Sequence, residues 1–338
     1  MRHKYTKVLH THKGEGSLPQ LIVAENENMQ SKFVVQKILE LREEGVPLEE
    51  IAVLFRSSFL SFDLEIELVK ANIPFVKYGG FKFLETAHVK DMVAYLRVLE
   101  NPRDVVSWNR ILLLIDGIGP RGAERVIDDI LRHRVASPSS TFWEKYNSYP
   151  ENVAELFELL KSILPERFSP AEKVSRISTY YHPIFKKKYD DYNKRKKDLE
   201  MFEQIAGRYT DTSKLLADIT LEPPNESIVD VDSPGKEEEY LTLSTIHSAK
   251  GLEWHSVFLI YALDGRFPTS RAVNDTDELE EERRLMYVAC TRAQENLFIT
   301  YPINVYDRES GTILTKPSRF LEGIDEKLID LWVIGEEE

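Results

Sequence analysis

A chain of 338 residues is long enough for about two domains, and its formal charge of −13 argues against a protein that coats nucleic acid through its overall field, leaving room for a local basic groove. No apolar run reaches the ~18 residues of a membrane span. The opening MRHKYTKVLHTHKGEG lacks the apolar core of a secretory signal. The single cysteine, Cys290, rules out an internal disulfide and a cysteine-cluster metal site, so a reducing, cytoplasmic setting is expected.

Residues 1–20 read as a loose leader. FVVQKILELREEG (33–45) carries Val34, Ile38 and Leu41 at helical spacing and stops at Gly45. IAVLFR (51–56) reads as a buried strand, FDLEIELVKAN (62–72) as a helix, and IPFVKYGG (73–80) as a strand closed by two glycines. HVKDMVAYLRVLEN (88–101) is an amphipathic helix through Val89, Met92, Val93, Leu96 and Leu99. This alternation of strands and helices predicts an α/β fold with a parallel sheet.

From Asn101 the pattern becomes helical, as in AERVIDDILRHR and NVAELFELLKSIL, and EPPNESIVDVDSPGKEEE (222–239) reads as an exposed linker. Strand-like runs return at 241–247, 256–262 and 296–301, with the helix DELEEERRLMYVAC between the last two. The organisation expected is a discontinuous α/β domain (1–100 and 237–338) interrupted by a helical insertion (101–236). A basic run at 185–200, with Lys186, Lys187, Lys188, Lys194, Arg195, Lys196 and Lys197, reads first as a solvated helix face.

Three features carry chemistry. The strand 51–56 delivers Arg56 at its carboxyl end, the ligand edge of a parallel sheet. TIHSAKGLEW, between two strands, holds His247, Lys250, Gly251 and Glu253. EEERRLMYVACTRA (280–293) reads as a helix with Arg283, Arg284 and Arg292. Arginine presents a planar fork of donors that fits phosphate oxygens, although a lone arginine is more often a surface ion pair. The phosphate cradle G-x-x-x-x-G-K-[ST] is absent from the sequence, so phosphate-sensing arginines stand without a cradle. The histidines are scattered, and no metal-ligand spacing stands out. DGIGPRGAERVIDDIL (116–131) places Gly117 and Gly119 before a helix. That pattern fits either a tight turn that needs glycine or a helix-hairpin-helix turn whose amides hold a DNA phosphate.

STIHSAKGLEWHSVFLIYALDGRFPTSR, ELEEERRLMYVACTRAQENLFITYP, IAVLFRSSFLSFDLE, IPFVKYGGFKFLETAHVKDMVAYLRVLENP and KPSRFLEGI together resemble the UvrD/Rep/PcrA-type superfamily I DNA helicases. The match runs nearly end to end, but only with the C-terminal half of such an enzyme. The resemblance implies a second RecA-like core domain with its helical insertion. It also implies that the first RecA-like domain, with the P-loop and the Mg²⁺ ligands, lies upstream. It gives ATP with Mg²⁺, and single-stranded and duplex DNA, as the ligands, with repair or replication proteins as further partners. By position, Arg56 and Arg292 would contact the γ-phosphate, Phe55 would stack on adenine where the family often has Tyr, and Glu253 would sit near the ribose. Thr245, His247 and Lys250 would face single-stranded DNA, and Gly117 and Gly119 duplex DNA; Arg284 and Tyr287 would be structural or coupling residues. The function so implied is the C-terminal part of a 3′ to 5′ DNA helicase that is inactive without its P-loop. The alternative is a non-catalytic DNA- or protein-binding module derived from one.

Overall fold

The computed structural model describes residues 16–80, 82–132, 149–164, 168–220, 239–307 and 311–335. The chain divides into two compact units, Met1–Phe81 with Glu222–Glu338, and Lys82–Leu221. It opens with β1 (Gln20–Ala24), α1 (Glu27–Glu43), β2 (Ile51–Phe55), α2 (Phe62–Lys70) and β3 (Phe75–Tyr78). The second unit follows as α3 (Ala87–Glu100), α4 (Val105–Leu112), α5 (Pro120–Arg132), α6 (Glu151–Ile163), α7 (Pro170–Lys188), α8 (Tyr192–Ala206) and α9 (Thr212–Thr220). The first unit resumes with β4 (Leu241–Thr245), β5 (Trp254–Leu259), α10 (Thr276–Cys290), β6 (Ala293–Pro302), a β7–β8 hairpin (Val305–Asp307, Thr312–Leu314) and β9 (Asp330–Ile334). Most of the linker read at 222–239 lies outside the described residues.

The first unit is a seven-stranded sheet in the order β3-β4-β2-β5-β6-β1-β9, parallel throughout. This is the RecA-like α/β arrangement expected, with helices on both faces. Every residue of β2 is buried, because a parallel strand at the centre of a sheet is covered above and below. Ile51, Val53 and Phe55 join the core beneath α1 and α2, with Val34, Ile38, Leu64 and Leu68. Ala52 and Leu54 join the opposite core, with Leu285, Met286 and Ala289 of α10. Asn26 caps α1, its side chain accepting from the Met29 amide, and Asp275 caps α10 through the amides of Asp277 and Glu278.

Two strands of the seven-stranded sheet, β1 and β9, and the β7–β8 hairpin were missed in the sequence, and one boundary differs. β1 begins at the last residue read as leader, Gln20, and β9 is an edge strand exposed along almost its whole length, so neither shows the alternation of a half-buried strand. The second unit begins at Lys82, not at Asn101, and α3 packs on α4, α7, α8 and α9. An amphipathic stripe records that one face is buried, not whether sheet or helix buries it.

The helical unit is tied together by the buried carboxylate of Asp91. It accepts from Arg110 Nε of α4 at 2.6 Å, from the Tyr181 hydroxyl of α7 at 2.6 Å and from Lys188 Nζ at 3.3 Å. Nearby, His88 Nε2 lies 2.8 Å from Asp198 Oδ2 of α8. Ser169 and Glu172 form a capping box at the start of α7. No described helix is long and apolar enough to cross a membrane.

Burial, with the nearby charge of Asp91, pushes the Tyr181 hydroxyl far above its ordinary value. Burial and the charge of Glu155 push Tyr180 up to about 12, and burial and Asp129 push Tyr149 up. A phenol held neutral in the fold stabilises it fully below the unfolded value of ~10 and progressively less as pH rises through the folded value. The denaturation midpoint of this unit is therefore expected to be flat to about pH 10 and to fall above it. A urea titration repeated between pH 8 and 12 checks this, and a midpoint unchanged at pH 11.5 would count against it.

Candidate functional site

β2 and β4 end side by side, with Phe55 opposite Thr245, so Arg56 and the loop after Thr245 leave the same carboxyl edge of the sheet. The chain then crosses β2 on the α10 face, where Ile246 and Ala249 are buried, to reach the amino end of β5. Trp254, first in β5, pairs with Ala293, first in β6. Glu253 and Arg292 therefore stand at the amino edge, not at the carboxyl edge expected for a ligand site, and only Arg56, Thr245 and His247 occupy the latter. What unites the set is the α10 face of the sheet, because α10 and the crossover both run along it.

Each arginine is partly engaged. Arg56 donates from Nε (2.8 Å) and Nη2 (2.7 Å) to Oε1 of Glu282 in α10. Arg292 donates from Nε to the carbonyl of Val288, from Nη1 to that of Leu252 at 2.7 Å, and from Nη2 to the Thr291 hydroxyl. A guanidinium has five N–H groups, so three remain on Arg56 and two on Arg292. Arg283 and Arg284 pair with Glu280 and Glu281 on the outside of α10, Arg283 also lies over Phe320, and Tyr287 is exposed.

His247, Lys250 and Glu253 are exposed and bond to no other described residue. Thr245 is partly buried, and its hydroxyl donates to Ser248 Oγ at 3.0 Å. Against this turn lies Gly79, at φ +80, where an added Cβ would meet Thr245 and stand 2.8 Å from Ser248 Oγ. Phe55 differs from expectation. Its side chain is wholly buried in the core on the α1–α2 face, with the ammonium of Lys77 5.7 Å from the ring centroid. Strand alternation sends it away from Arg56 and leaves no ring face for an adenine.

In the helical unit, Gly117 has φ +81 and Gly119 closes the turn before α5, with open space where a Cβ would stand on either. Their neighbour Asp116 is paired with Lys187 across from α7. The other cations of the basic run are largely answered within the unit, Arg195 by Asp191 and Lys196 by Glu200. Among the described residues no cluster of His, Cys, Asp or Glu could hold a metal ion. The donors present fit phosphate oxygens and not a cation.

A model of the UvrD-like helicase C-terminal domain matches residues 1–304. The chain belongs to that family. It is 29% identical over 329 residues to the ATP-dependent DNA helicase PcrA of Staphylococcus aureus (strain Mu50), covering 91% of this chain and 44% of that protein. It is 30% identical over 346 residues to the ATP-dependent DNA helicase PcrA of Staphylococcus epidermidis (strain RP62A), covering 96% of this chain and 46% of that one. The chain thus spans less than half the length of these relatives.

The sequence reading of this UvrD-like domain missed Glu282, one of three consecutive glutamates. Its signal is positional: Glu282, Leu285, Met286 and Ala289 form the buried stripe of α10. An acid on an apolar stripe needs a cationic partner.

Two outcomes are expected. Gly79→Ala, strained in φ and blocked by Thr245 and Ser248, should cost about 2–4 kcal/mol, against about 1–2 for Gly117→Ala, which meets only the cost of φ, as read by chemical denaturation. Burial pushes the Cys290 thiol up to about 11. Its alkylation by iodoacetamide at pH 8 should therefore run at least about tenfold slower than that of free cysteine, and reach the free rate in urea.

Proposed function

We propose that this chain is the C-terminal part of an ATP-dependent DNA helicase, which steps 3′ to 5′ along single-stranded DNA and parts the duplex ahead. The P-loop and the Mg²⁺ ligands would come from another RecA-like domain of the same enzyme. When that domain presents ATP to the α10 face, Arg56 and Arg292 would reach the γ-phosphate and stabilise the charge that develops on it. Glu253, exposed and unengaged, would receive a ribose hydroxyl. Thr245, His247 and Lys250 would follow the DNA strand, and the crossover that carries them would pass strand movement to the nucleotide side. In the helical unit the amides around Gly117 and Gly119 would hold a duplex phosphate, an approach that the open space beside both glycines leaves clear.

The observation that carries this reading is the gathering of two incompletely bonded arginines and an exposed crossover loop on one sheet face, in a UvrD-like domain. An arginine serving only the fold would have its donors used within it.

The test is ATP turnover with and without single-stranded DNA, for this chain and for the enzyme with its P-loop domain. The chain alone should show no DNA-stimulated turnover. In the whole enzyme, Arg56→Ala and Arg292→Ala should each lower kcat by roughly 10²- to 10³-fold. A duplex with a 3′ tail should be unwound and one with a 5′ tail left paired. Turnover by the chain alone that Arg292→Ala abolishes would overturn the half-site reading, and wild-type kcat in both variants would favour a non-catalytic module.

A further inference from the structure

The acid that meets Arg56 is unusual among its neighbours. Glu280 and Glu281 pair with Arg283 and Arg284 one turn along the surface of α10. Glu282 turns inward onto the buried stripe, its side chain only 5% exposed. Its Oε1 receives both the Nε–H and an Nη2–H of Arg56, while Oε2 is buried with no hydrogen-bond partner among the described residues.

The same unit holds an ion pair built differently. Arg319 grips Asp264 side-on, Nε to Oδ1 at 2.9 Å and Nη2 to Oδ2 at 2.8 Å, so that both carboxylate oxygens are used. That two-pronged form is the stronger one and suits a structural lock. A pair serving only stability has no reason to leave a buried carboxylate oxygen unmatched, since an unsatisfied buried acceptor costs about 1–3 kcal/mol or more. The Arg56 pair is one-sided: the acid holds the guanidinium by its Nε side and leaves both Nη1 hydrogens and one Nη2 hydrogen uncommitted. The Nη1–Nη2 edge left open can take two phosphate oxygens together.

We propose that Glu282 is the positioning residue of Arg56: it fixes the guanidinium by one edge so that the other is already presented to the terminal phosphate. This rests on the assignment of Arg56 to that phosphate under the function proposed above. Glu282 touches neither nucleotide nor reacting atoms and acts through Arg56. A guanidinium free to swing must be ordered in each catalytic cycle, and prior ordering lowers the barrier without tightening substrate binding in the ground state.

The experiment is a double-mutant cycle on DNA-stimulated ATP turnover by the whole enzyme. Glu282→Gln keeps the shape and removes the charge. It is expected to lower kcat about tenfold or more, with the KM for ATP moving less than about threefold, and Glu282→Asp should recover part of the loss. In an Arg56→Ala background, Glu282→Gln should add less than about a twofold effect, because the residue it positions is gone. A Glu282→Gln enzyme at wild-type kcat while Arg56→Ala is impaired would overturn the proposal and leave the function intact. The same fold-loss in both backgrounds would also overturn it, since the acid would then act on the fold at large. If Arg56→Ala itself turns over ATP normally, it is the assignment of Arg56 that fails. Should Glu282→Gln not fold, the cycle is run with Glu282→Asp, whose loss must likewise vanish without Arg56.

Discussion

The structure of the first unit depends on β2 being buried on both faces. A strand enclosed by β4 and β5 at its edges and by helices above and below has no solvent side, so alternate residues are committed to opposite cores. Ile51, Val53 and Phe55 fill one beneath α1 and α2, and Ala52 and Leu54 fill the other against α10. Arg56, one step past the strand, inherits the second direction. It cannot remain in an apolar core as a bare charge, and Glu282 stands where it arrives. The strand that sends Phe55 away from any ligand is thus the one that aims Arg56 at α10.

Behind this face the frame is tied together by side-chain hydrogen bonds. Gln30 of α1 accepts from both the Tyr261 amide and the Thr300 hydroxyl, and the Tyr261 hydroxyl donates to Glu27, so α1 is bonded to the ends of β5 and β6. Tyr261 adopts φ +55, a conformation uncommon outside glycine, which these bonds hold in place. On the same carboxyl edge, Lys77 is buried against Glu65, the Ser58 carbonyl and the ring of Phe62. Bonded groups on one side of the sheet leave the other free to carry exposed, unengaged side chains. That division suits a surface that must receive ligands without deforming.

How much of this could be read from the chain follows from what each signal records. Buried parallel strands announce themselves as short apolar runs, so β2, β4 and β5 are legible. α3 and α10 are legible from their stripes. β9 is not, because an exposed edge strand has neither alternation nor a continuous apolar run, and the sequence DLWVI gains its meaning only beside β1. The boundary near residue 82 is hidden because a stripe does not name its partner. Among the site residues, Arg56 and Arg292 could be picked out by type and position, but not the edge of the sheet on which each would stand. That depends on counting which strand end each adjoins, and the crossover from β4 to β5 carries the chain from one edge to the other. The role of Phe55 failed for a related reason: a neighbour in sequence at a strand end is not a neighbour on a face. Glu282 was hidden among like residues, since only the register of the helix separates an inward glutamate from two outward ones.

β3 and β4 are adjacent and parallel, yet the whole helical unit lies between them in the chain. Closing so long a connection costs little more at equilibrium than closing a short one, since the entropy grows only with the logarithm of length. The consequence lies in time. At a synthesis rate of ~5–20 residues per second, the ~160 residues from the end of β3 to the start of β4 take roughly 8–30 s to make. Throughout that interval β2 has emerged with neither of its neighbours, because β4 and β5 are both downstream. A strand built to be covered on every side must wait on the ribosome without its two neighbouring strands and without α10, while the helices that delay it are made. The insertion therefore sets an order of completion in synthesis, the helical unit before the sheet. The nascent chain is most exposed to misassociation at the strand on which the finished unit relies most.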